Sequence, residues 1–528
     1  MSPEASTAVG NESHSRLIRL SAGVAFSALL FGVVALAFNN FGNRYFWTDE
    51  SSSLYTSLGW PGVGDRAGSL GGAWDWTIET HVEPGLYNML ERFWALGIGT
   101  EVTTLRVYPF LFFLIYLGSL LAVGRLVRLP WFLIAGVVGL ALLENITPYY
   151  TVELRPSSAG LAASVALPAM GLLLLQRPRG WTMTLFVMGF LFIGSMQYNS
   201  YPLEAALGVV LVAFGWVRYT EAKRAILVAA GILAVLWLPV VYVVSRGNPL
   251  SMNQEPSLEA ISGLLIPNMA SAEVLSLVQQ NLLSPTALPR TVFLLAIPAL
   301  WITRRWPGLR SPCSTTAGGV SFLWAFVLAA TAVTAVIGFL GVMPWIVGTR
   351  WSIAEIGLIA VSLMGLAGVA VELGLLKRKP FLIATAVASL TVSLLAGYRL
   401  ATYERFPGYD WTGVLTVMLA GTPGKTVVDT ELYTDLRYWV ELSGDYDEFR
   451  DDWVNHDVQT TSTFFAADAS SVQEFVESAN DRLLLGDAVL LEDSGVEIPE
   501  SIDVIEVPLW GPHSGVTPPQ PVLLVRGD

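Results

Sequence analysis

Long apolar runs separated by short polar stretches occupy most of the chain before residue 400. A bilayer with ~30 Å of hydrocarbon is crossed by about 20 helical residues. Repeated runs of this length predict a polytopic α-helical membrane protein with eleven transmembrane helices. The predicted spans run from Arg19 to about Phe38 and then approximately over 105–124, 130–146, 157–175, 181–197, 202–217, 225–244, 288–303, 319–341, 350–375 and 380–398.

Basic residues cluster at every second connection between these spans. The clusters are Arg16/Arg19, Arg125/Arg128, Arg177/Arg179, Arg218/Lys223/Arg224, Arg304/Arg305/Arg310 and Lys377/Arg378/Lys379. Because Lys and Arg are enriched in cytoplasmic loops, we expect a cytoplasmic N-terminus and an extracytoplasmic C-terminal region in a multi-pass plasma-membrane protein. The long loops 41–104 and 245–287 then face outward. Residues 1–15 are polar and are expected to be disordered.

After about residue 400 the pattern becomes that of a soluble domain. Residues 401–528 carry 24 acidic and 6 basic side chains, although the net charge of the whole chain is only −13. This contrast places a domain boundary between a membrane body, 16–400, and an acidic tail, 401–528. Alternating patterns predict a small extracytoplasmic α/β domain, taken as an accessory module. Its expected helices are 410–419, 431–441 and 470–485, and its expected strands are 425–429, 487–491, 503–507 and 521–525.

Composition supports the membrane assignment and narrows the chemistry. The chain is 53% hydrophobic and 14% charged, whereas soluble domains carry about 25% charged residues. A single cysteine, Cys313, rules out an intramolecular disulfide, and four histidines leave little for a metal cluster. The basic residues are too dispersed for a nucleic-acid surface. We expect no nucleic-acid partner, no metal site and no cofactor, with a divalent cation left open.

Two adjacent acids, Asp49 and Glu50, follow the first apolar run at the mouth of a membrane helix. Carboxylates beside the hydrocarbon are costly to desolvate and are usually functional. Partial desolvation also raises the basicity of a carboxylate, which suits a general base. The alternative is that Asp49 only caps a short amphipathic helix over 47–59.

A second polar stretch, His81-Val82-Glu83-Pro84-Gly85-Leu86-Tyr87, lies in the same outer loop. Pro84 is expected to start a helix over 84–97, with His81 and Glu83 near its positive end. Tyr87 follows one turn later. These side chains could line a cavity shared with Asp49, and a loop histidine beside a helix cap is an equally good interpretation.

Three arginines, Arg106, Arg155 and Arg350, lie at span boundaries on the predicted outer face. They oppose the charge bias of the topology, and guanidinium groups bind phosphate in a bidentate manner. Snorkelling towards lipid headgroups is the alternative, and it is the preferred explanation for Arg290 and Arg399. For Arg155, before Pro156, and Arg350, before Trp351, phosphate binding is favoured.

In their order along the chain, these features resemble the GT-C superfamily of integral-membrane glycosyltransferases. The most similar branch contains protein O-mannosyltransferases and the aminoarabinose transferase of lipid A. The motifs that carry the resemblance are Asp49-Glu50, His81 to Tyr87, Thr103 to Pro109 with Arg106, Arg155-Pro156, Arg350, and Asp410-Trp411 at the start of the tail. Val82 and Glu83 depart from the usual residues between His and Pro in this motif.

The resemblance implies a GT-C-like fold and an inverting transfer from a polyprenyl-monophosphate sugar, without nucleotide or catalytic metal. It implies that Asp49 is the general base and that Glu50 positions the acceptor. Arg155, Arg350 and Arg106 would bind the donor phosphate, while His81, Glu83 and Tyr87 would position the acceptor or sugar. The expected partners are the lipid-linked donor, membrane lipids, and a cell-envelope glycan, lipoglycan or protein acceptor.

The sugar itself is suggested only by composition. A chain rich in Ala, Gly, Val and Leu and poor in Lys is typical of a high-GC bacterium, and in an actinobacterium mannose or arabinofuranose is expected.

Two other classes compete with the enzyme. A lipid or small-molecule transporter would have an outward-facing cavity, but the chain shows no internal repeat. A membrane scaffold would leave Asp49, Arg155 and Arg350 without a role.

Overall fold

The structure is a computed structural model of the chain. It describes residues 3–41, 48–59, 68–74, 85–144, 146–197, 200–218, 220–246, 288–304, 315–339, 351–403, 410–420, 426–428, 430–443, 446–456, 458–460, 473, 475–476, 482–485, 498–507 and 522–526. Of the outer loop expected over 245–287, only residues 245 and 246 are described.

Helices make up the described chain before residue 404. They are α1 (Pro3–Phe41), α2 (Thr48–Leu58), α3 (Leu86–Gly97), α4 (Val102–Leu126), α5 (Trp131–Leu142), α6 (Ile146–Val152), α7 (Ser157–Gln176), α8 (Gly180–Gly194), α9 (Ser200–Arg218), α10 (Thr220–Arg246), α11 (Leu288–Arg304), α12 (Thr316–Phe339), α13 (Trp351–Glu372) and α14 (Lys379–Ala401).

Each of the eleven predicted apolar runs coincides with one of these helices, which confirms a polytopic α-helical architecture. Six described helices are long and apolar enough to cross a membrane, and four shorter apolar helices accompany them. The amphipathic segments expected in the first outer loop are α2 and α3.

The N-terminus differs from the expectation of disorder, because α1 already starts at Pro3. A helix that is nucleated by its apolar part extends at little further cost.

Small residues allow the membrane helices to approach closely. A Cβ atom added to Gly32 of α1 would lie 2.6 Å from the carbonyl oxygen of Gly397 in α14. A Cβ atom added to Gly139 of α5 would lie 3.1 Å from the Cα atom of Ser393. The Ser393 hydroxyl donates to the Ala135 carbonyl oxygen at 3.2 Å. Backbone contact between small residues is how helices associate where burial in lipid gives no hydrophobic gain.

The C-terminal region forms a small α/β domain. Its helices are α15 (Thr412–Leu419), α16 (Thr430–Glu441) and α17 (Arg450–His456), and its strands are β1 (Thr426–Val428), β2 (Gln459–Thr460), β3 (Arg482–Leu485), β4 (Ile502–Glu506) and β5 (Val522–Arg526). The sheet order is β2-β1-β3-β5-β4. Strand β1 is parallel to β2 and β3, whereas β5 is antiparallel to β3 and β4.

The helix predicted over 470–485 is wrong at its C-terminal end, where the chain forms strand β3. Leu483 and Leu484 pair with β1 on one side and β5 on the other. A short Leu-rich segment has no strong preference of its own, and its central place in the sheet determines the strand. Leu483 packs with Phe475 and Leu524 in the core of the domain. The strand predicted over 487–491 lies outside the described residues.

His456, which is buried at the end of α17, is expected to make the domain sensitive to acid. Its ring nitrogen Nε2 lies 3.0 Å from the Thr426 hydroxyl. Burial, together with the charge of Arg482, lowers the pKa of His456, although Asp452 opposes the shift. The unfolded chain binds a proton near pH 6.5, whereas the folded domain binds it only at lower pH. The stability of the domain is therefore retained above pH 6.5 and falls as the pH drops towards the folded pKa.

We expect faster amide hydrogen exchange in β1 at pH 5.5 than at pH 7.5, after correction for the intrinsic pH dependence of exchange. His456→Gln should remove most of this difference, because a glutamine does not titrate. An unchanged difference in that variant would assign the acid sensitivity to another group.

The described chain divides into two compact units. The first contains residues 1–37, 74–87 and 109–403, and the second contains 38–73, 88–108 and 404–528. The second unit thus combines the C-terminal domain with parts of the first outer loop, among them helix α2. The predicted boundary near residue 400 separates the tail from the last membrane helix, but the tail shares its unit with residues located hundreds of positions earlier.

Candidate functional site

The two acids of the first outer loop lie in the first turn of α2. Glu50 is fully buried. Asp49 belongs to the same turn, although its side chain is not among those that the structure describes. His81, Glu83 and Arg350 lie outside the described residues, and their predicted roles stay predictions.

Helix α2 is fixed along its side by α3. The Glu91 carboxylate accepts hydrogen bonds from the hydroxyls of Ser53 at 3.0 Å and Ser57 at 2.7 Å. Ser53 and Ser57 are four residues apart, so they project from one face of α2. Hydrogen bonds to a buried charged group are stronger than those between neutral groups. Glu91 therefore determines both the position and the rotation of the helix that carries Asp49 and Glu50.

The C-terminal end of α2 is fixed by Arg92, which is 7% exposed. Its guanidinium donates to the carbonyl oxygens of Ser57 at 3.2 Å, Leu58 at 2.6 Å and Gly68 at 2.6 Å. The carbonyls of the last turn of a helix have no partner within the helix and attract cations. Burial lowers the pKa of Arg92, yet arginine stays protonated in proteins.

We expect Arg92→Met to destabilise the second unit by about 3 kcal/mol, because it leaves buried carbonyl groups without donors. Arg450→Met is a matched control. Arg450 also donates to the last carbonyl oxygens of a helix, those of Val440 and Glu441, but its side chain is 44% exposed. Water can replace it there, so we expect a loss below about 1 kcal/mol. Thermal unfolding of the purified protein in detergent compares the two. Equal losses would contradict the importance of burial at Arg92.

The C-terminal domain provides a third set of contacts to the loop. Arg437 of α16 donates to the Tyr55 hydroxyl at 2.7 Å, and its guanidinium carbon lies 5.2 Å from the centre of the Tyr55 ring. The same guanidinium bonds Glu441 at 3.0 Å. Burial alone would lower the pKa of Arg437, but Tyr55 and Glu441 outweigh it and raise that pKa. Tyr438 donates to the Thr100 carbonyl oxygen at 3.0 Å.

Arg106 serves the end of α1 in a similar way. Its guanidinium is fully buried, and its Nη1 donates to the Asn40 carbonyl oxygen at 2.8 Å. Asn40 lies in the last turn of α1, so the Nη1 group of Arg106 stabilises the C-terminal end of that helix. Glu50 and Arg106 belong to the same compact unit. The predicted contact between Arg106 and a donor phosphate stays a prediction.

Arg155 and Tyr87 belong to the other unit. Arg155 is half-buried in the segment between α6 and α7, where its backbone N–H donates to the Glu153 carbonyl oxygen at 2.8 Å. Tyr87 is fully buried, with its ring centre 6.0 Å from that of Phe112. Of the predicted site residues, the structure thus describes the side chains of Glu50, Tyr87, Arg106 and Arg155.

Sequence reasoning missed the residues that hold α2 in place from a distance. Glu91 and Arg92 were visible as charges following the His81 stretch, but their partners were not. Arg437 lies in α16, 382 residues after Tyr55, and no local pattern connects the two. Among the described residues, no group of three or more His, Cys, Asp or Glu side chains could hold a metal ion.

No protein-family model matches the chain, and no curated protein matches it. Among solved structures it is similar to the oligosaccharyltransferase of Archaeoglobus fulgidus in complex with Zn and sulfate, at 14% identity and a TM-score of 0.42, over 87% of this chain and 67% of that chain. It is also similar to ArnT from Cupriavidus metallidurans bound to undecaprenyl phosphate, at 14% identity and a TM-score of 0.44. This match covers 95% of this chain and 97% of that chain. Neither likeness carries information on substrate or mechanism.

Proposed function

We propose that the chain is a membrane glycosyltransferase that moves a sugar from a polyprenyl-monophosphate donor to a hydroxyl of a cell-envelope acceptor. The observation that carries the proposal is helix α2. It begins at an Asp-Glu pair shortly after the first membrane helix and is held by buried polar contacts from Glu91 and Arg92. A carboxylate on a firmly held helix at a membrane boundary is the arrangement that a general base requires.

In the proposed reaction, Asp49 removes the proton from an acceptor hydroxyl. The oxygen attacks the anomeric carbon of the donor sugar, and the bond from that carbon to the phosphate oxygen breaks with inversion. Polyprenyl phosphate leaves with the electron pair of the broken bond. Arg155 and Arg350, assisted by Arg106, would stabilise the charge that develops on the leaving phosphate. Glu50, His81, Glu83 and Tyr87 would position the acceptor and sugar. The reaction as written needs no metal or nucleotide.

The proposed active site faces away from the cytoplasm. The distribution of basic residues supports this side, and a contact within the protein supports the number of spans. Basic residues cluster at every second connection between the spans, on the side of the membrane where the N-terminus lies, and such clusters are typical of the cytoplasmic side. In addition, the contact between Tyr55 and Arg437 requires the first loop and the tail to lie on one side of the membrane, and ten predicted spans, an even number, separate them. A lipid-linked donor, whose tail enters from the bilayer, fits a face where nucleotide sugars are absent. Mannose or arabinofuranose is the proposed sugar.

The experiment is transfer by the purified protein in nanodiscs, with a panel of polyprenyl-phosphate sugars and with membrane glycan and protein acceptors. Release of polyprenyl phosphate that depends on both acceptor and enzyme would support the proposal and identify the sugar. Movement of intact donor across the bilayer without release of phosphate would instead support a transporter and overturn it.

A further inference from the structure

A groove of about 510 Å³ lies between α7, α8, α9 and α10. Its walls are almost entirely apolar, with Leu174, Phe186, Phe190 and Leu233 among them. Two polar side chains, Tyr201 and Glu204, line it at one end, where α9 begins. The four helices belong to the membrane body, and the proposed transfer reaction uses none of these residues.

Glu204 is the unusual member of this lining. It is 4% exposed, and its Oε1 atom has no hydrogen-bond partner among the described residues. Burying a carboxyl group in apolar surroundings without a partner is unfavourable. An ionisable side chain inside a membrane segment is therefore expected to serve a bound group.

The shape of the groove indicates a chain-like ligand. It follows one face of α9 from Tyr201 past Gly208 to Val212, which is about 16 Å at 1.5 Å per residue. Its opposite wall is a face of α10 that contains Ile226, Ala230 and Ala234. Ala205, Ala230 and Ala234 are exposed at the surface of the bundle. A hydrocarbon chain could thus enter sideways from the bilayer and fill the groove along its length.

The polar end of the groove indicates which kind of chain it accepts. Among the described lining residues none is basic, so no cation there compensates the charge of a phosphate. A neutral acceptor next to the chain, such as a glycerolipid ester carbonyl, can take a hydrogen bond from the protonated Glu204 carboxyl. In a glycerophospholipid this carbonyl is the first carbon of the acyl chain, and the glycerol unit separates it from the phosphate.

We propose that this groove binds one acyl chain of a membrane glycerophospholipid, with Glu204 hydrogen-bonded to its ester carbonyl. None of the residues proposed to bind the donor phosphate lines the groove. It selects an acyl ester over a polyprenyl phosphate, whose isoprenoid chain carries no carbonyl group. The bound lipid fills the space between α9 and α10 and satisfies the buried carboxyl group.

Two glycines provide a matched test. A Cβ atom added to Gly208 or to Gly231 meets no atom within 4 Å, so both positions accept a larger side chain. Gly208 lines the groove, whereas Gly231 of α10 does not. We expect Gly208→Leu to exclude the lipid and Gly231→Leu to leave binding unchanged. Glu204→Leu should weaken binding about tenfold through loss of the hydrogen bond, and Glu204→Gln should retain most of it.

The measurement is native mass spectrometry of the purified protein during titration with a diacyl phospholipid, and in parallel with polyprenyl phosphate. Saturable binding of one phospholipid that Gly208→Leu abolishes and Gly231→Leu preserves would support the proposal. The proposal is overturned if both glycine variants bind phospholipid like the wild type, or if the wild type binds none. It is also overturned if polyprenyl phosphate displaces the phospholipid from the groove. Because binding is measured without any sugar donor, failure here is distinguishable from failure of the transferase proposal.

Discussion

Replacing Asp49 by Asn is expected to lower the rate of sugar transfer by a factor of about 10² to 10⁴, the usual contribution of a general base. Asparagine has the same shape but cannot accept the proton of the acceptor hydroxyl. At this position inside the first turn of α2 it loses only the negative charge that favours a helix N-terminus, worth about 0.3 to 1 kcal/mol, so α2 should still form. The measurement is release of polyprenyl phosphate under single-turnover conditions, together with thermal unfolding of the same preparation.

This substitution separates the two interpretations of Asp49. If the residue were only a helix cap, Asn would preserve both activity and stability, and the proposed role would be wrong. Asp503→Asn makes the same chemical change at an exposed position of β4 in the C-terminal domain. It should leave transfer within about twofold of the wild type, since surface substitutions usually have small effects.

Replacing Gly32 by Leu is expected to damage the membrane body strongly. The added Cβ atom would lie 2.6 Å from the Gly397 carbonyl oxygen and 2.7 Å from its Cα atom. Backbone atoms cannot rotate away as a side chain can, so α1 and α14 must separate. Overpacking of this kind costs about 3 kcal/mol or more. Thermal unfolding and the yield of monodisperse protein in detergent measure the loss.

The control is Gly23→Leu in the same helix. A Cβ atom at Gly23 meets nothing within 4 Å, so the helix gains a good helix former without a clash. We expect unfolding at or slightly above the wild-type temperature. Similar damage from both variants would mean that α1 tolerates no large residue, and the contact with Gly397 would not be the cause.

Much of the membrane body could be predicted from the sequence because hydrocarbon imposes a strong rule. A run such as 380–398 has few ways to satisfy its backbone in lipid other than as a helix, and the structure has α14 there. The boundaries were less predictable. The run at 130–146 ends earlier, at Leu142, because apolarity alone does not mark where the chain leaves the helix.

The soluble domain was harder to predict because its elements depend on partners distant in sequence. Strand β3 was expected to be helical, and only its two neighbouring strands determine its conformation. The candidate site shows the same limit. Asp49 and Glu50 could be recognised from their place after the first span. The bonds of Glu91, Arg92 and Arg437 to α2 depend on tertiary structure, and so does the isolation of Glu204 in its groove.

The hydrogen bond between Tyr55 and Arg437 also sets an order of events during biosynthesis. The two residues are 382 positions apart, and ribosomes add about 5 to 20 residues per second. Once Tyr55 has been synthesised, about 20 to 80 s must pass before its partner exists. Throughout that interval the first loop lacks its contact with α16, so α2 can make that contact only when translation is nearly finished. We expect a chain that stalls before residue 437 to lack this contact, which should leave its first loop more accessible to proteases.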